Sequence, residues 1–375
     1  MRRIMRIFSH PAYRKENLEI KTKKELKEAK KLAGVSSEKE FLKRVKEYAK
    51  KTKDKFLLKL VTEKERPTII KKEWEILLVP PFVKRFTISP NGKRFAYVYL
   101  EEKEFVVVDG KKEKGYEAIL GMIFSPNGKH FGYVAKERKK FLVVIDGRET
   151  PKYDLINSFC LSPDGKHWAF SAERNRKKYI VLDGRENEVG YEETKHLIFS
   201  PSGKLAYVGE KENREVLVLN GREIKPHTYD RIYSLTFSPD GRISLLTEEN
   251  KKLMVILGRK KLEEKENKYS EVGRLTVSNK GDFAYEAVEE LHGSYKFIVW
   301  NGKEKRWPGW CFWPTLSPDG KHIAWITVLN GRIYLVFNEI VKEEVEDILF
   351  CGFFKKYFAY ATREKRRIFW KILPL

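Results

Sequence analysis

Positions one and three residues before a recurring serine are almost always apolar: Phe124 and Met122, Leu161 and Phe159, Phe199 and Leu197, Phe237 and Leu235. A period of two is that of a packed β-strand, so these positions are core. The serines are Ser89, Ser125, Ser162, Ser200, Ser238, Ser278 and Ser317, each opening a Ser-Pro or Ser-Asn turn, with gaps of 36, 37, 38, 38, 40 and 39 residues. The copy from Ile156 to Tyr191 reads as a strand "INSFCLSP", a turn "PDGK", a strand "HWAFSA", a charged loop "ERNRKK" and a strand "YIVLDG". The third strand ends in Asp-Gly or Asn-Gly at Asp109, Asp146, Asp183, Asn220 and Asn301, a dipeptide suited to the positive φ of hairpin turns. A short fourth strand follows, often marked by a tyrosine (Tyr116, Tyr153, Tyr191, Tyr229).

Four-stranded units at this spacing cannot bury their faces singly and must stack around an axis. The expected fold is therefore all-β, a closed β-propeller preceded by a small basic α-helical N-terminal region. An eighth, degenerate unit runs from "ILFCGF" through "YFAYATR" to "RRIFWKILPL", but its turn lacks the Ser-Pro signature and it supplies three strands. The segment "EWEILLV", Glu73 to Val79, has strand composition and is expected to complete that last blade, leaving no free sheet edge. Eight blades are favoured, with seven as the alternative because the final unit is so degenerate.

The pattern "SPDGK…AYV…VVVDG" resembles the TolB-type, WD-repeat-like propeller repeats of bacteria and archaea, over Phe86 to about Leu375. The resemblance implies a propeller and leaves the function open, since members serve as protein-binding scaffolds, periplasmic accessory subunits or substrate-gating domains of peptidases. The chain departs from the peptidase-fused members in having no Gly-x-Ser-x-Gly elbow and no further domain after the propeller. It departs from the periplasmic members in lacking a signal peptide.

Residues 1–72 are of another kind, helical and very basic. Thr22 can cap a helix over Lys23 to Ala33 that ends at Gly34, and Ser36 or Ser37 a second over Glu38 to about Thr52. Phe41, Leu42, Val45, Tyr48 and Ala49 give the second an apolar stripe. This region carries 24 Lys+Arg and 10 Asp+Glu, net +14 of the chain's +23. Clustered lysines attract polyanions, so nucleic acid, an acidic protein or anionic lipid is a candidate partner. The complete absence of glutamine beside abundant Lys and Glu equally fits adaptation to a hot habitat, with the lysines as solvated faces.

The loops between second and third strands add basic clusters. Lys136, Arg138, Lys139 and Lys140 in blade 2, and Arg174, Arg176, Lys177 and Lys178 in blade 3, are candidate polyanion contacts, although solvated hairpin tips explain the same residues. In an antiparallel blade these loops share a face with the start of the innermost strand, beside the channel mouth. Positions fixed by a fold repeat between copies, whereas binding positions are free to differ. The fourth residue before each turn serine does differ: Arg85, Gly121, Ser158, His196, Ser234, Arg274 and Trp313. Arg85, His196, Arg274 and Trp313 are accordingly the candidate binding ring at the channel mouth. Five of eight tryptophans (Trp300, Trp307, Trp310, Trp313, Trp325) fall within 26 residues. Repeat alignment assigns all but Trp313 to packing, with Trp307 or Trp310 in the fourth-strand tyrosine place and Trp325 opposite Tyr133 and Phe170.

No metal, cofactor or catalytic constellation emerges. Cys160, Cys311 and Cys351 have no CxxC or paired-histidine spacing, and His130, His167 and His322 are positional equivalents after the turn lysine. Asp164, Asp240 and Asp319 fill the turn position that Asn127 and Ser202 fill elsewhere, so they are turn formers. No apolar run approaches signal-peptide or membrane-span character, and three free cysteines suit a reducing compartment. The expectation is a cytoplasmic, non-enzymatic scaffold that binds a protein or peptide through the channel-mouth face, with nucleic-acid association through the basic arm as the alternative and a channel enzyme the weakest reading.

Overall fold

The computed structural model describes residues 72–375 apart from 79–82, 290–294, 308, 355–356 and 365–366. The chain divides into two compact units, residues 1–69 and 70–375, and every described residue belongs to the second. The two helices expected in Lys23–Ala33 and Glu38–Thr52 lie outside the described residues.

The second unit is an eight-bladed β-propeller, built of eight four-stranded antiparallel sheets. Blades 1 to 7 run from Val83 to Tyr116, Ala118 to Glu149, Leu155 to Val189, Glu193 to Tyr229, Arg231 to Glu266, Glu271 to Lys305 and Trp310 to Val345. Blade 8 takes three strands from Asp347 to Pro374 and its outermost strand, Lys72–Leu78, from the start of the unit. That strand pairs antiparallel with Arg367–Pro374, setting Trp74 opposite Trp370. The expected closure is therefore present and the seven-bladed alternative is not. Hydrophobic closure accompanies it: Ile88 of blade 1 packs with Ala359, Ala361 and Trp370 of blade 8.

Each blade alone is a two-sided sheet, and the core is a ring of clusters lying between neighbours. Ala96, Val98 and Val106 of blade 1 pack with Phe124, Phe131, Tyr133 and Leu142 of blade 2. Leu246, Leu253 and Val255 of blade 5 pack with Leu275, Phe283 and Tyr285 of blade 6. Second strands are buried on both faces, as in Phe131–Glu137, which is why they read as near-continuous apolar runs. A small residue near the start of that strand makes room for the next blade. At Gly132 an added Cβ would lie 2.6 Å from the Phe159 ring of blade 3.

The repeating turn explains the repeating serine. Ser125 Oγ donates to Asn127 Oδ1 at 2.6 Å and accepts the His130 N–H at 3.0 Å. The same pair forms between Ser162 and Asp164 at 2.6 Å and between Ser317 and Asp319 at 2.7 Å. The aspartates are thus turn formers, as read from the sequence. At the hairpin between third and fourth strands, Asp146 Oδ1 accepts the Phe131 N–H at 3.0 Å and Oδ2 meets His130 Nδ1 at 2.7 Å. Asp183 repeats this with Trp168 and His167.

Tyrosines tie four of the blades to the next. Tyr116 donates to Glu149 at 2.8 Å, Tyr153 to Glu186 at 2.7 Å, Tyr191 to Glu223 at 3.1 Å and Tyr269 to Glu304 at 3.1 Å. Of the four tyrosines expected to mark fourth strands, Tyr116 and Tyr229 close theirs, while Tyr153 and Tyr191 lie just beyond. In blade 7 the tyrosine place belongs to Trp307, edge-on to Trp325 with centroids 5.8 Å apart. Trp310, the other candidate for that place, is instead exposed.

Candidate binding site at the channel mouth

The face on which the innermost strands begin is fixed by hydrogen bonds to the loops between second and third strands. The backbone N–H of Arg138 donates to Glu117 (3.0 Å), that of Asn175 to Asp154 (2.8 Å), that of Glu212 to Glu192 (3.1 Å) and that of Asn250 to Asp230 (2.6 Å). Each acceptor immediately precedes its blade's innermost strand. Loops and strand starts therefore share one rim around the channel mouth.

Every innermost strand carries a β-bulge at this rim, where two of its residues oppose one on its neighbour. Bulges re-aim side chains. The position four before the turn serine lies at the bulge, so the expected ring residues Arg85, His196, Arg274 and Trp313 stand at equivalent places on blades 1, 4, 6 and 7. His196, Arg274 and Trp313 adopt left-handed backbone conformations, with φ of 54°, 31° and 55°. Glycine enters that region freely, whereas a bulky side chain there is an outlier costing about 1–2 kcal/mol. Gly121, the one ring equivalent suited to it, is not among the positive-φ glycines. Pro314, which has no N–H to give the ladder, sits within the blade 7 bulge, where proline is tolerated.

Blades 6 and 7 bring most of this chemistry together. The Arg274 guanidinium lies 5.6 Å from the centroid of the Trp313 ring, a cation–π contact, and Trp313 is 43% exposed. Its backbone N–H donates to the buried Glu286 carboxylate at 2.7 Å, and Lys296 pairs with the other oxygen at 2.6 Å. The Lys296 ammonium also stands 4.5 Å from the Phe312 ring centroid, and Phe312 stacks on Trp310. Glu271, Val272, Gly273, Glu286, Val288 and Lys296 line a small groove beside this cluster. Arg274 is also felt on blade 8: burial pushes the Cys351 thiol up to about 11, and the Arg274 charge opposes that rise.

The other ring members are held separately. Arg85 is exposed and donates to the Leu120 carbonyl of blade 2. His196 is half-buried, and its imidazole lies below its ordinary value, chiefly through burial and then through the Lys195 charge, against the Ile232 backbone and Glu215. Glu215 pairs with Lys195 and accepts the Ile232 N–H of the next blade at 2.5 Å.

The basic loops divide. Lys140 pairs with Asp154, Arg174 with Glu186, Lys177 with Glu188 at 3.0 Å and Lys178 with Glu173 at 2.6 Å. Arg138, Lys139 and Arg176 are hairpin-tip residues in left-handed conformations, and Lys136 is half-buried. Glu286, Lys296, Phe312 and Trp310 were not singled out as site residues from the sequence. Their signal was the departure of blades 6 and 7 from the repeat, a glutamate in the second strand where blade 1 has Val98, and an aromatic run at Trp310–Trp313.

Among the described residues no group of three or more His, Cys, Asp or Glu side chains could hold a metal ion. No helix among them is long and apolar enough to cross a membrane. All three cysteines are free thiols, with burial pushing Cys160 up to about 12 and Cys311 up to about 11.

No protein-family model matches the chain, and no characterised protein matches it by sequence. Among solved structures it is similar to the Dos1 propeller at 12% identity, covering 80% of this chain and 93% of that one with a TM-score of 0.49. It is similar to a eukaryotic initiation factor at 16% identity, covering 80% and 85% with a TM-score of 0.47. The β-propeller domain of the Trilobed protease from Pyrococcus furiosus is similar at 16% identity, covering 70% and 96% with a TM-score of 0.47. Likeness at this level concerns the fold alone.

Proposed function

We propose that this propeller, whose repeats resemble the TolB type, is a non-enzymatic scaffold that binds a protein or peptide through its channel-mouth face. The distribution of exposed apolar side chains carries the reading. Of the seven large exposed hydrophobics among the described residues, Leu100, Leu120, Leu155, Trp310 and Trp313 all lie at strand starts or loop edges on that rim. Water-exposed apolar groups gathered on one face mark a contact surface more than scattered ones do, and exposed tryptophans are favoured anchors.

The alternative, a nucleic-acid contact, rests on the net +14 of residues 1–72. Within the propeller, four of the eight basic loop residues already pair with carboxylates, which reduces what the loops offer a phosphate backbone.

Selection of random displayed peptides on the full chain tests the scaffold reading. Selected peptides are expected to lose binding when Leu120→Asp and Trp310→Asp are introduced together. Failure to select any peptide, or equal binding to that variant, counts against it. Random-sequence DNA and RNA are titrated in parallel at about 50 and 200 mM salt. Tight, salt-sensitive binding that disappears on removal of residues 1–69 would put the nucleic-acid reading first.

A further inference from the structure

Resting on the scaffold reading, we infer that blades 6 and 7 form the specificity site of the channel-mouth face, taking a linear peptide segment that presents a carboxylate beside a bulky apolar side chain. The carboxylate meets Arg274, and the apolar side chain lies on Trp313.

Three observations combine. The first is pairing. Arg174, Arg214, Arg306 and Arg332 each meet a carboxylate, as does Arg94 at the opposite turn. Arg274 is exposed and, like Arg85, Arg138, Arg176 and Arg231, has no carboxylate partner among the described residues, but of these five it is the one that stands against an exposed tryptophan, with the Trp313 ring 5.6 Å away. A guanidinium packed on an aromatic face keeps its N–H edge open, and that edge matches a carboxylate in a two-pronged hydrogen bond.

The second is backbone conformation. Left-handed bulges at Arg274 and Trp313 occupy the same repeat position on adjacent blades. The repeat does not require this, because Gly121, Ser158 and Ser234 fill the position elsewhere without positive φ. Strain held at two neighbouring rim positions, and turned toward exposed side chains, is the arrangement expected where orientation serves recognition. The buried Glu286, clamped by Lys296, holds the Trp313 amide and so fixes the backbone from which the ring projects.

The third is charge. A phosphate polymer needs several cations in register, whereas here exposed Glu271 stands three residues from Arg274 on the same strand and Glu286 lines the adjoining groove. With Lys296 already paired to Glu286, Arg274 is left as a single guanidinium, which suits a single carboxylate. The apolar half of the segment is served by Trp313 and by Trp310, 43% and 47% exposed.

The test uses peptides selected at random on the full chain. A selected sequence is resynthesised with each Asp or Glu changed to Asn or Gln, and affinities are measured against wild type, Arg274→Gln and Trp313→Ser. Expected are sequences enriched in an acidic residue next to a large apolar one, with about tenfold weaker binding to Arg274→Gln, the scale of a lost charged hydrogen bond. Neutralising the peptide's carboxylate should cost wild type the same factor and cost Arg274→Gln nothing further, which a merely structural role for Arg274 does not produce. Peptides that lose binding to the Leu120→Asp and Trp310→Asp variant but bind Arg274→Gln and Trp313→Ser at full strength would overturn this inference and leave the scaffold reading standing. A library that yields no binder overturns both. Competition by a single-stranded oligonucleotide such as dT15 at equal concentration would replace the peptide by nucleic acid.

Discussion

Glu104 in blade 1 accepts the backbone N–H of Ile119 in blade 2 at 2.7 Å, deep in the seam between the two sheets. Lys84 pairs with its other oxygen at 2.6 Å. Burial raises the Glu104 pKa, but the Lys84 and Ile119 hydrogen bonds outweigh it, so the carboxyl stays below its ordinary value. The arrangement recurs three blades on, where Glu215, Lys195 and Ile232 occupy the same repeat positions. In both, a carboxylate satisfies an amide beside the bulge of the next innermost strand, a group the ladder leaves unmatched and whose burial without a partner is costly.

Replacing Glu215 by leucine should therefore destabilise the propeller by about 2 to 3 kcal/mol, since it strands the Ile232 N–H and the Lys195 ammonium together. Glu215→Gln, which keeps an acceptor, should cost less. Urea unfolding of the three proteins decides it. If leucine and glutamine prove equal and small in effect, the seam does not depend on the carboxylate.

Left-handed Trp313 offers a contrasting case. Asparagine tolerates this conformation through its short polar side chain, and the Trp313 ring is substantially exposed. Trp313→Asn is expected to leave stability unchanged or raise it by up to about 1 kcal/mol, the scale of the relieved strain. Thermal melting gives the answer, and a large loss would make the ring a structural element.

Much of this was legible along the chain because repeats compare a fold with itself. Serine turns, hairpin dipeptides and period-two strands gave the blades, and "EWEILLV" gave the closing strand within one residue at each end. The inter-blade tyrosine ties were legible too and went unread: Glu149, Glu186, Glu223 and Glu304 each end a recurring Asp/Asn-Gly-Arg/Lys-Glu. The ring positions were found by their variation. Their left-handed backbones were not, because that conformation is announced by Gly or Asn and here falls on His, Arg and Trp. Exposure of Trp310 was also missed, since composition assigns a tryptophan to packing until its neighbours are known.

Ring closure makes the outermost strand of blade 8 a stability element. A chain begun at residue 83 would lose Lys72–Leu78 and bare the Arg367–Pro374 edge with its unpaired N–H and C=O groups. Relative to a chain begun at residue 70, it is expected to melt lower and to associate as concentration rises. Melting curves and size-exclusion chromatography over a range of concentrations measure both effects. Identical behaviour of the two chains would mean that the ring holds without its closing strand.

The half-buried His196 should make stability depend on pH near neutrality. Burial, and then the Lys195 charge, hold its folded pKa below the ordinary value, which in the unfolded chain is near 6.5. The unfolded chain therefore takes up the proton at a higher pH than the folded one. Stability is at its full value above about pH 6.5 and declines as pH falls through that point toward the folded pKa. His196→Asn removes the titrating group while keeping a residue that accepts φ of 54°. The wild type is expected to lose more stability than this variant between about pH 7.5 and pH 5, read from urea midpoints. Asp240, held to about 2 by Arg242 and Ser238, and Glu304, held to about 2 by Lys268, Arg306 and Tyr269 despite burial, act in both proteins and at lower pH. Equal losses would show that protonation of His196 carries no penalty in the folded propeller.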